Sequence, residues 1–243
     1  MSDPLQIGFL VFPNVTQLDL TGPVQVFSSV PGAKLHLIWK RIEPVQSDSV
    51  LVLTPTITFA ECPQLDVICV PGGYGTGDLL DDEEVLAFLR KQAEGAKFIT
   101  SVCTGSLVLG AAGLMRGFRA ATHWAAMDSL PPFGAIPTKT RVCIDGNRIT
   151  GGGVTAGIDF ALTVVSMLLD QKTAQMISFG SNITLRRRST PVHPTARRRT
   201  FSRWSTSGPH PIRRAGAKRC CVRRQGSLRR LEQLVGWVRR EAP

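Results

Sequence analysis

The chain has 243 residues, 43% of them hydrophobic, which is enough for one large α/β domain or two small ones. Its net charge of +11 is unevenly distributed: residues 1–177 contain 12 Lys and Arg against 16 Asp and Glu, and residues 178–243 contain 17 against 2. The N-terminus has no signal-peptide pattern and the longest apolar runs reach about half a membrane span, so we expect a cytoplasmic protein that does not enter a membrane.

The first half of the chain alternates strand and helix patterns. Leu5–Phe12 is a continuous apolar run, typical of a strand buried on both faces. Thr21–Val30 has the pattern of a short helix, with Thr21 as the N-cap and Pro23 in the first turn. The segment 81–95 is predicted to be a helix, because acidic residues crowd its start and Gly95 follows its end. Three further strands are predicted at "KLHLIWK", "SVLVLTP" and "LDVICV".

The second half continues the alternation. "AKFITSV" predicts a strand, Gly105–Leu114 a helix, and "AGIDFALTVVSMLLD" a long apolar helix. "RVCIDGNRIT" predicts a hairpin with Asp145 and Gly146 in its turn. Alternating strands and helices indicate a mostly parallel sheet that is covered by helices on both faces.

Cys103 is the first candidate functional residue, because it lies between a predicted strand and a predicted helix. Ligands of such sheets bind beyond the carboxyl ends of the strands. The start of a helix favours a thiolate, and Gly105 would avoid a clash in a tight turn of the nucleophile-elbow type. The alternative is a small buried hydrophobe, the role that we assign to Cys69 and Cys143.

The six cysteines show no zinc-binding spacing, so we expect free thiols and no metal. Two glycine-rich segments, 72–77 and 151–157, lack the context of a dinucleotide or phosphate loop. We interpret the first as backbone that must approach the reacting centre closely, and the second as the turn from the hairpin into the last helix. We therefore expect no cofactor.

Several segments together resemble the ThiJ/PfpI superfamily, which has the class I glutamine amidotransferase-like fold. The segments are "VFPNVTQLDLTGP", "VPGGYGTGDLL", "SVCTGSLVLGAAGL", "ATHW" and "GNRITGGGVTAGIDFAL". The resemblance covers about residues 5–177 and implies a flavodoxin-like three-layer α/β/α sandwich, usually dimeric, with a nucleophile elbow. Within the superfamily it is strongest to the isonitrile hydratase subgroup, whose members convert R–N≡C and water into an N-substituted formamide.

The resemblance also implies site residues. Cys103 would be the nucleophile, and Asp19 would hold or relay a proton, where many relatives carry a glutamate. Thr104 would orient the reacting groups, and backbone N–H groups near Gly73 and Thr104 would stabilise negative charge. His123 is either a base or orienter, or a hydrogen-bonded loop residue. From the sequence alone, Asp19 could equally be the N-cap of the helix at Thr21–Val30.

Other functions remain open at this stage. The chain could be another cysteine-dependent ThiJ/PfpI enzyme, such as a hydrolase, a glyoxalase or a deglycase. It could also be a redox sensor oxidised at Cys103, or a regulator that binds nucleic acid. Asp19 in place of a glutamate favours isonitrile hydration over the other ThiJ/PfpI activities, with an isonitrile as the small-molecule substrate. The resemblance implies that the enzyme is a homodimer.

The segment 178–243 is predicted to be a basic, disordered tail following a catalytic domain of residues 1–177. Its arginine triplets could indicate a nucleic-acid arm, but the segment is too short and irregular for the helix-turn-helix domain of some relatives. A third interpretation, a shift in the reading frame, explains the composition of this segment best. When residues 177–192 are written in permitted codons, one base inserted after the codon of Ile177 gives a segment resembling the superfamily's C-terminal "IEYNPAPPFDAGSP", which predicts a frameshift. We therefore do not expect the protein to bind nucleic acid, despite its basic tail.

Overall fold

The computed structural model describes residues 3–183, and their central feature is a seven-stranded sheet. Its strand order is β10-β11-β7-β6-β1-β2-β5, and every neighbouring pair is parallel except the antiparallel edge pair β10–β11. The described strands are β1 Leu5–Leu10, β2 Ala33–Trp39, β3 Val45–Gln46, β4 Val52–Leu53, β5 Ile57–Thr58, β6 Val67–Val70, β7 Phe98–Val102, β8 Arg119–Ala120, β9 Ile136–Pro137, β10 Val142–Asp145 and β11 Arg148–Gly151.

Two groups of helices pack on this sheet, α1 with α5 and α6, and α2 and α3 with α4. The described α-helices are α1 Gln17–Phe27, α2 Thr76–Leu79, α3 Glu83–Ala93, α4 Gly105–Ala111, α5 Ala156–Leu168 and α6 Gln171–Gly180; short 3₁₀ helices occupy Trp124–Ser129 and Pro131–Phe133. The predicted α/β architecture with a mostly parallel sheet is confirmed.

The central strands form a continuous apolar core. Strand β6 is buried at all four positions, and the last four residues of β1 are buried as well. On one side, the rings of Phe27 in α1 and Phe160 in α5 meet edge to face, 6.4 Å between centroids. Strands buried on both faces read as unbroken apolar runs, which is why the sequence predicted them correctly.

Helix α1 begins earlier than the sequence predicted. It starts at Gln17 rather than Thr21, and Thr16 occupies the N-cap position. Pro23 therefore lies inside the helix, where it has no N–H to donate to the carbonyl oxygen of Asp19. The prediction failed because proline is usually read as a first-turn residue, and the shift places Asp19 in the first turn of α1.

Three other predicted elements differ in extent. "SVLVLTP" contributes only β4, which pairs with β3 in a separate two-stranded sheet, and Pro55 follows soon after it. Helix α4 ends at Ala111 instead of Leu114, two residues before Gly113 takes a positive φ of 80°. The hairpin forms as predicted, but Asp145 pairs with Arg148, so its turn is Gly146 and Asn147.

The predicted boundary at residue 177 falls inside helix α6, which continues to Gly180. Beyond this helix, the N–H of Ile183 donates to the Ser178 carbonyl oxygen at 2.8 Å, and Ile183 packs against the core. The predictions for the tail concern residues that lie almost entirely outside the described range. Within that range, no helix is long and apolar enough to cross a membrane.

Candidate active site

The backbone at Cys103 forms a strained elbow between β7 and α4. Cys103 has a φ of +54°, a left-handed conformation that costs a non-glycine residue about 1–2 kcal/mol. Three hydrogen bonds hold it: its N–H donates to the Gly151 carbonyl oxygen at 2.9 Å, and its carbonyl oxygen accepts from Thr122 Oγ1 at 2.9 Å and from Ser106 Oγ at 3.2 Å. The predicted nucleophile elbow is therefore present, and its geometry is fixed from both sides.

Two glycines allow neighbouring loops to approach this elbow. A Cβ at Gly105 would lie 2.0 Å from the Val70 carbonyl oxygen, so the predicted need for glycine there is confirmed. A Cβ at Gly72 would lie 2.7 Å from Asp19 Oδ2 and 2.8 Å from the Cβ of Cys103. Gly72 thus lets the loop after β6 approach both candidate catalytic residues closely, as predicted for the glycine-rich segment 72–77.

Asp19 is completely buried and contacts Cys103. Its Oδ2 accepts a hydrogen bond from the Gly72 N–H at 3.1 Å, and its carboxyl group lies close enough to the Cys103 thiol for each group to shift the pKa of the other. Oδ1 has no partner among the described residues. The reading of Asp19 as the cap of a helix at Thr21 is wrong, because α1 has already begun at Gln17 and the carboxyl group reaches across to the sheet edge.

The protonation of this pair differs from the expectation of a stabilised thiolate. Burial raises the pKa of Asp19 to about 6, although the Gly72 N–H and the Cys103 thiol oppose the rise. Burial and the Asp19 carboxylate raise the pKa of the Cys103 thiol well above its ordinary value, outweighing the N–H and hydroxyl of Thr104. Both shifts favour a protonated thiol beside the Asp19 carboxyl group near neutral pH.

Thr104 lies beside the thiol at the N-cap position of α4. Its Oγ1 accepts a hydrogen bond from the Gly73 N–H at 3.1 Å and lies 3.2 Å from Thr76 Oγ1. Gly73 has a φ of +140°, which favours glycine. Its N–H is bonded to Thr104, so the donor that was expected to face a substrate is occupied here by a side chain.

His123 has a local structural contact. Its Nδ1 accepts a hydrogen bond from the Ala125 N–H at 3.4 Å, at the start of the 3₁₀ helix Trp124–Ser129. Burial lowers the pKa of its imidazole. Among the hydrogen bonds of the described residues, none joins His123 to Cys103 or Asp19. This favours the interpretation of His123 as a hydrogen-bonded loop residue.

Sequence reasoning missed two side chains of this site, Thr76 and Thr122, although it had predicted that the backbone of residues 72–77 approaches the reacting centre. Thr122 directly precedes His123 in the "ATHW" segment, and Thr76 lies in the glycine-rich segment 72–77. A single sequence gives threonines no distinguishing signal, because their roles depend on contacts across the sheet edge. Among residues 3–183, no three His, Cys, Asp or Glu side chains form a group that could hold a metal ion.

Comparison with known proteins identifies the family. The family model described as DJ-1/PfpI family matches residues 6–167. The chain belongs to the DJ-1/PfpI family. A structure of a ThiJ/PfpI family protein from Pseudomonas syringae superposes with a TM-score of 0.72 at 47% sequence identity, covering 78% of each chain.

Two curated relatives differ in their described roles. Isonitrile hydratase from Pseudomonas putida is 61% identical over 173 residues, which cover 71% of this chain and 76% of that enzyme. The HTH-type transcriptional regulator GbdR from Pseudomonas aeruginosa is 32% identical over 173 residues, which cover 67% of this chain but only 46% of the regulator. The enzyme is thus matched more closely and over more of its length.

The buried Asp19 predicts a specific pH dependence of stability. Its pKa of about 6 in the folded protein exceeds the unfolded value of 3.8, so its contribution to stability is fully present below pH 3.8 and is lost as the pH rises through 6. The free energy of unfolding of the wild type, relative to Asp19→Asn, should be about 1–2 kcal/mol greater at pH 5 than at pH 8. Chemical denaturation at both pH values measures this difference.

Asp128→Asn, at an exposed position, provides the matched control. A difference between wild type and Asp19→Asn that is the same at pH 5 and pH 8 would contradict the assignment of Asp19 as a buried, titrating carboxyl group.

Proposed function

We propose that this protein adds water to the terminal carbon of an isonitrile, R–N≡C, and releases the N-substituted formamide R–NH–CHO. The buried, adjacent pair of Asp19 and Cys103 at the elbow carries the proposal, since it places a proton carrier beside a nucleophilic sulfur. The 61% identity to the isonitrile hydratase of Pseudomonas putida supports the same activity.

The first half of the reaction uses the thiol proton. As the Cys103 sulfur attacks the terminal carbon, its proton passes to the Asp19 carboxylate. Asp19 then delivers that proton to the same carbon, which gives the thioimidate Cys103–S–CH=N–R with no net change in charge. A carboxyl group with a pKa of about 6 suits both steps, because it can accept and return a proton near neutral pH.

The second half releases the product. Water attacks the thioimidate carbon, with Asp19 positioned to take a proton from the water, and the nitrogen is protonated. The C–S bond then breaks, the carbonyl group of the formamide forms, and the sulfur recovers its proton. The N–H and hydroxyl of Thr104 stabilise negative charge on the sulfur as it leaves, since both act as hydrogen-bond donors to it.

The alternatives have less support. A hydrolase acting through a cysteine–histidine pair would need a histidine at the elbow, whereas His123 is bonded to the backbone N–H of Ala125. A redox sensor usually exposes a thiolate, whereas Cys103 is buried and burial raises the pKa of its thiol. The likeness to the regulator GbdR leaves more than half of that protein without a counterpart.

Two further expectations stay proposals, the homodimer and the cytoplasmic location. Met176 and Phe179 on helix α6 expose 65% and 88% of their surface, which favours association with a second copy. The four cysteines of the described residues are unpaired, which suits a reducing compartment. Light scattering of the full-length protein would give a dimer mass, and a monomer mass would contradict the first expectation.

The segment after residue 177 is proposed to be translated out of frame. The net charge is −4 for residues 1–177 and +15 for residues 178–243. Codons for proline and alanine would encode arginine when they are read in a shifted frame, which would account for the basic segment. A genomic read across codons 176–180 should show one base fewer than in a close relative. A confirmed sequence without this missing base would remove the proposal.

The activity itself is tested by formamide production from cyclohexyl isonitrile. We expect Cys103→Ala to abolish production, because the covalent route is lost. Asp19→Asn keeps the shape of the side chain but not its proton, and should lower kcat about 10²–10⁴-fold. Gas chromatography of the product gives both rates.

Cys62→Ala, which removes a half-buried thiol outside the site, is the control and should keep the wild-type rate. The proposed function would be wrong if the wild type formed no formamide. The proposed mechanism would be wrong if Asp19→Asn worked at the wild-type rate.

A further inference from the structure

Thr76 is a buried side chain that touches the site without touching the reacting sulfur. It begins the short helix α2 and is 6% exposed. Its Oγ1 lies 2.8 Å from the Gly73 carbonyl oxygen and 3.2 Å from Thr104 Oγ1. Thr76 is thus the second member of a hydroxyl pair whose first member, Thr104, lies beside Cys103.

The protons of this pair can be arranged in two ways. The Thr76 hydroxyl has one proton, and it can donate that proton either to the Gly73 carbonyl oxygen or to Thr104 Oγ1. In the first arrangement, the Thr104 hydroxyl can donate to Thr76 Oγ1 or to the Gly73 carbonyl oxygen 3.4 Å away, so its proton is directed away from Cys103. The shorter distance favours this arrangement while the thiol is protonated and needs no donor.

In the second arrangement, Thr104 Oγ1 accepts from both the Gly73 N–H, at 3.1 Å, and the Thr76 hydroxyl. Both of its lone pairs are then used, and its own proton is available to the Cys103 sulfur, with which the Thr104 side chain can hydrogen-bond. A hydroxyl that accepts two hydrogen bonds is also a stronger donor, because successive hydrogen bonds polarise one another.

We infer that Thr76 is a positioning residue that switches between these two arrangements and directs the Thr104 hydroxyl to the sulfur whenever negative charge develops there. The inference rests on the proposed role of Cys103 as nucleophile, and it does not depend on which substrate the sulfur attacks. In the structure, the Thr76 hydroxyl is within hydrogen-bond distance of Thr104 Oγ1 and of the Gly73 carbonyl oxygen.

The test measures the reactivity of the sulfur without an isonitrile. The rate of Cys103 alkylation by iodoacetamide, followed from pH 6 to 10 by mass spectrometry of the Cys103 peptide, reports the thiolate population. Thr76→Val keeps the side-chain shape but removes the hydroxyl, so we expect alkylation at pH 8 to slow about three- to tenfold and its pH profile to move upward. Thr76→Ser, which restores the hydroxyl, should return both towards wild type.

Thr163→Val is the matched control. Its hydroxyl bonds to the Asp159 carbonyl oxygen within helix α5, so its loss should leave the alkylation profile unchanged. The inference is overturned if Thr76→Val alkylates at the wild-type rate, or if Thr76→Ser slows alkylation as much as Thr76→Val does.

A second comparison separates hydrogen bonding from a packing defect or misfolding. In a Thr104→Val background the proposed receiver of the Thr76 proton is absent, so adding Thr76→Val should not slow alkylation further. An equal further loss would overturn the inference. If wild type forms no formamide but these alkylation results hold, the isonitrile proposal fails and the role of Thr76 stands.

Discussion

The electrostatic interaction between the buried Asp19 carboxyl group and the neighbouring Cys103 thiol is the one on which the site depends. A carboxylate without exposure to water is expensive, and the rise in the pKa of Asp19 to about 6 records that cost. The Gly72 N–H offsets part of it, and the remaining oxygen has no partner among the described residues. The fold thus holds a proton carrier in an environment that makes its proton easy to exchange near neutral pH.

Several features of the fold serve this contact. Helix α1 begins early enough to carry Asp19 in its first turn, and Gly72 lets the loop after β6 approach the pair closely. The positive φ of Cys103 turns its side chain out of strand β7, and bonds to Gly151 and Thr122 hold that conformation. The resulting geometry is preorganised, so little rearrangement is needed when the sulfur attacks.

The sequence was sufficient for the parts of the molecule that depend on local pattern. Buried strands such as β6 appear as apolar runs, and the change from strand to helix at Cys103 is visible within about ten residues. The early start of α1 was not visible, because Pro23 suggested a first turn and the true start has a weak cap without a side-chain hydrogen bond. The expected thiolate was also wrong, since a pattern reveals a helix start but not the burial and neighbouring carboxylate that oppose it.

Contacts between distant segments account for what sequence could not provide. Gly72 meets Asp19 across 53 positions, and Thr76 meets Thr104 across 28. Both contacts arise because parallel strands bring their carboxyl ends to one edge of the sheet, where loops from several strands converge. The sequence pattern indicates that such an edge exists, but only the folded structure shows which threonine or glycine lies at the Cys103 site.

The account's central claim is that Cys103 forms a covalent bond to the substrate carbon while Asp19 carries the proton. Rapid acid quenching of the enzyme with excess cyclohexyl isonitrile, followed by mass spectrometry of its peptides, tests this directly. We predict that the Cys103 peptide gains the mass of one isonitrile molecule, that this adduct appears before formamide, and that it decays as the substrate is exhausted. Formamide formed while the Cys103 peptide stays unmodified at every time point, or an adduct on a different residue, would contradict the claim.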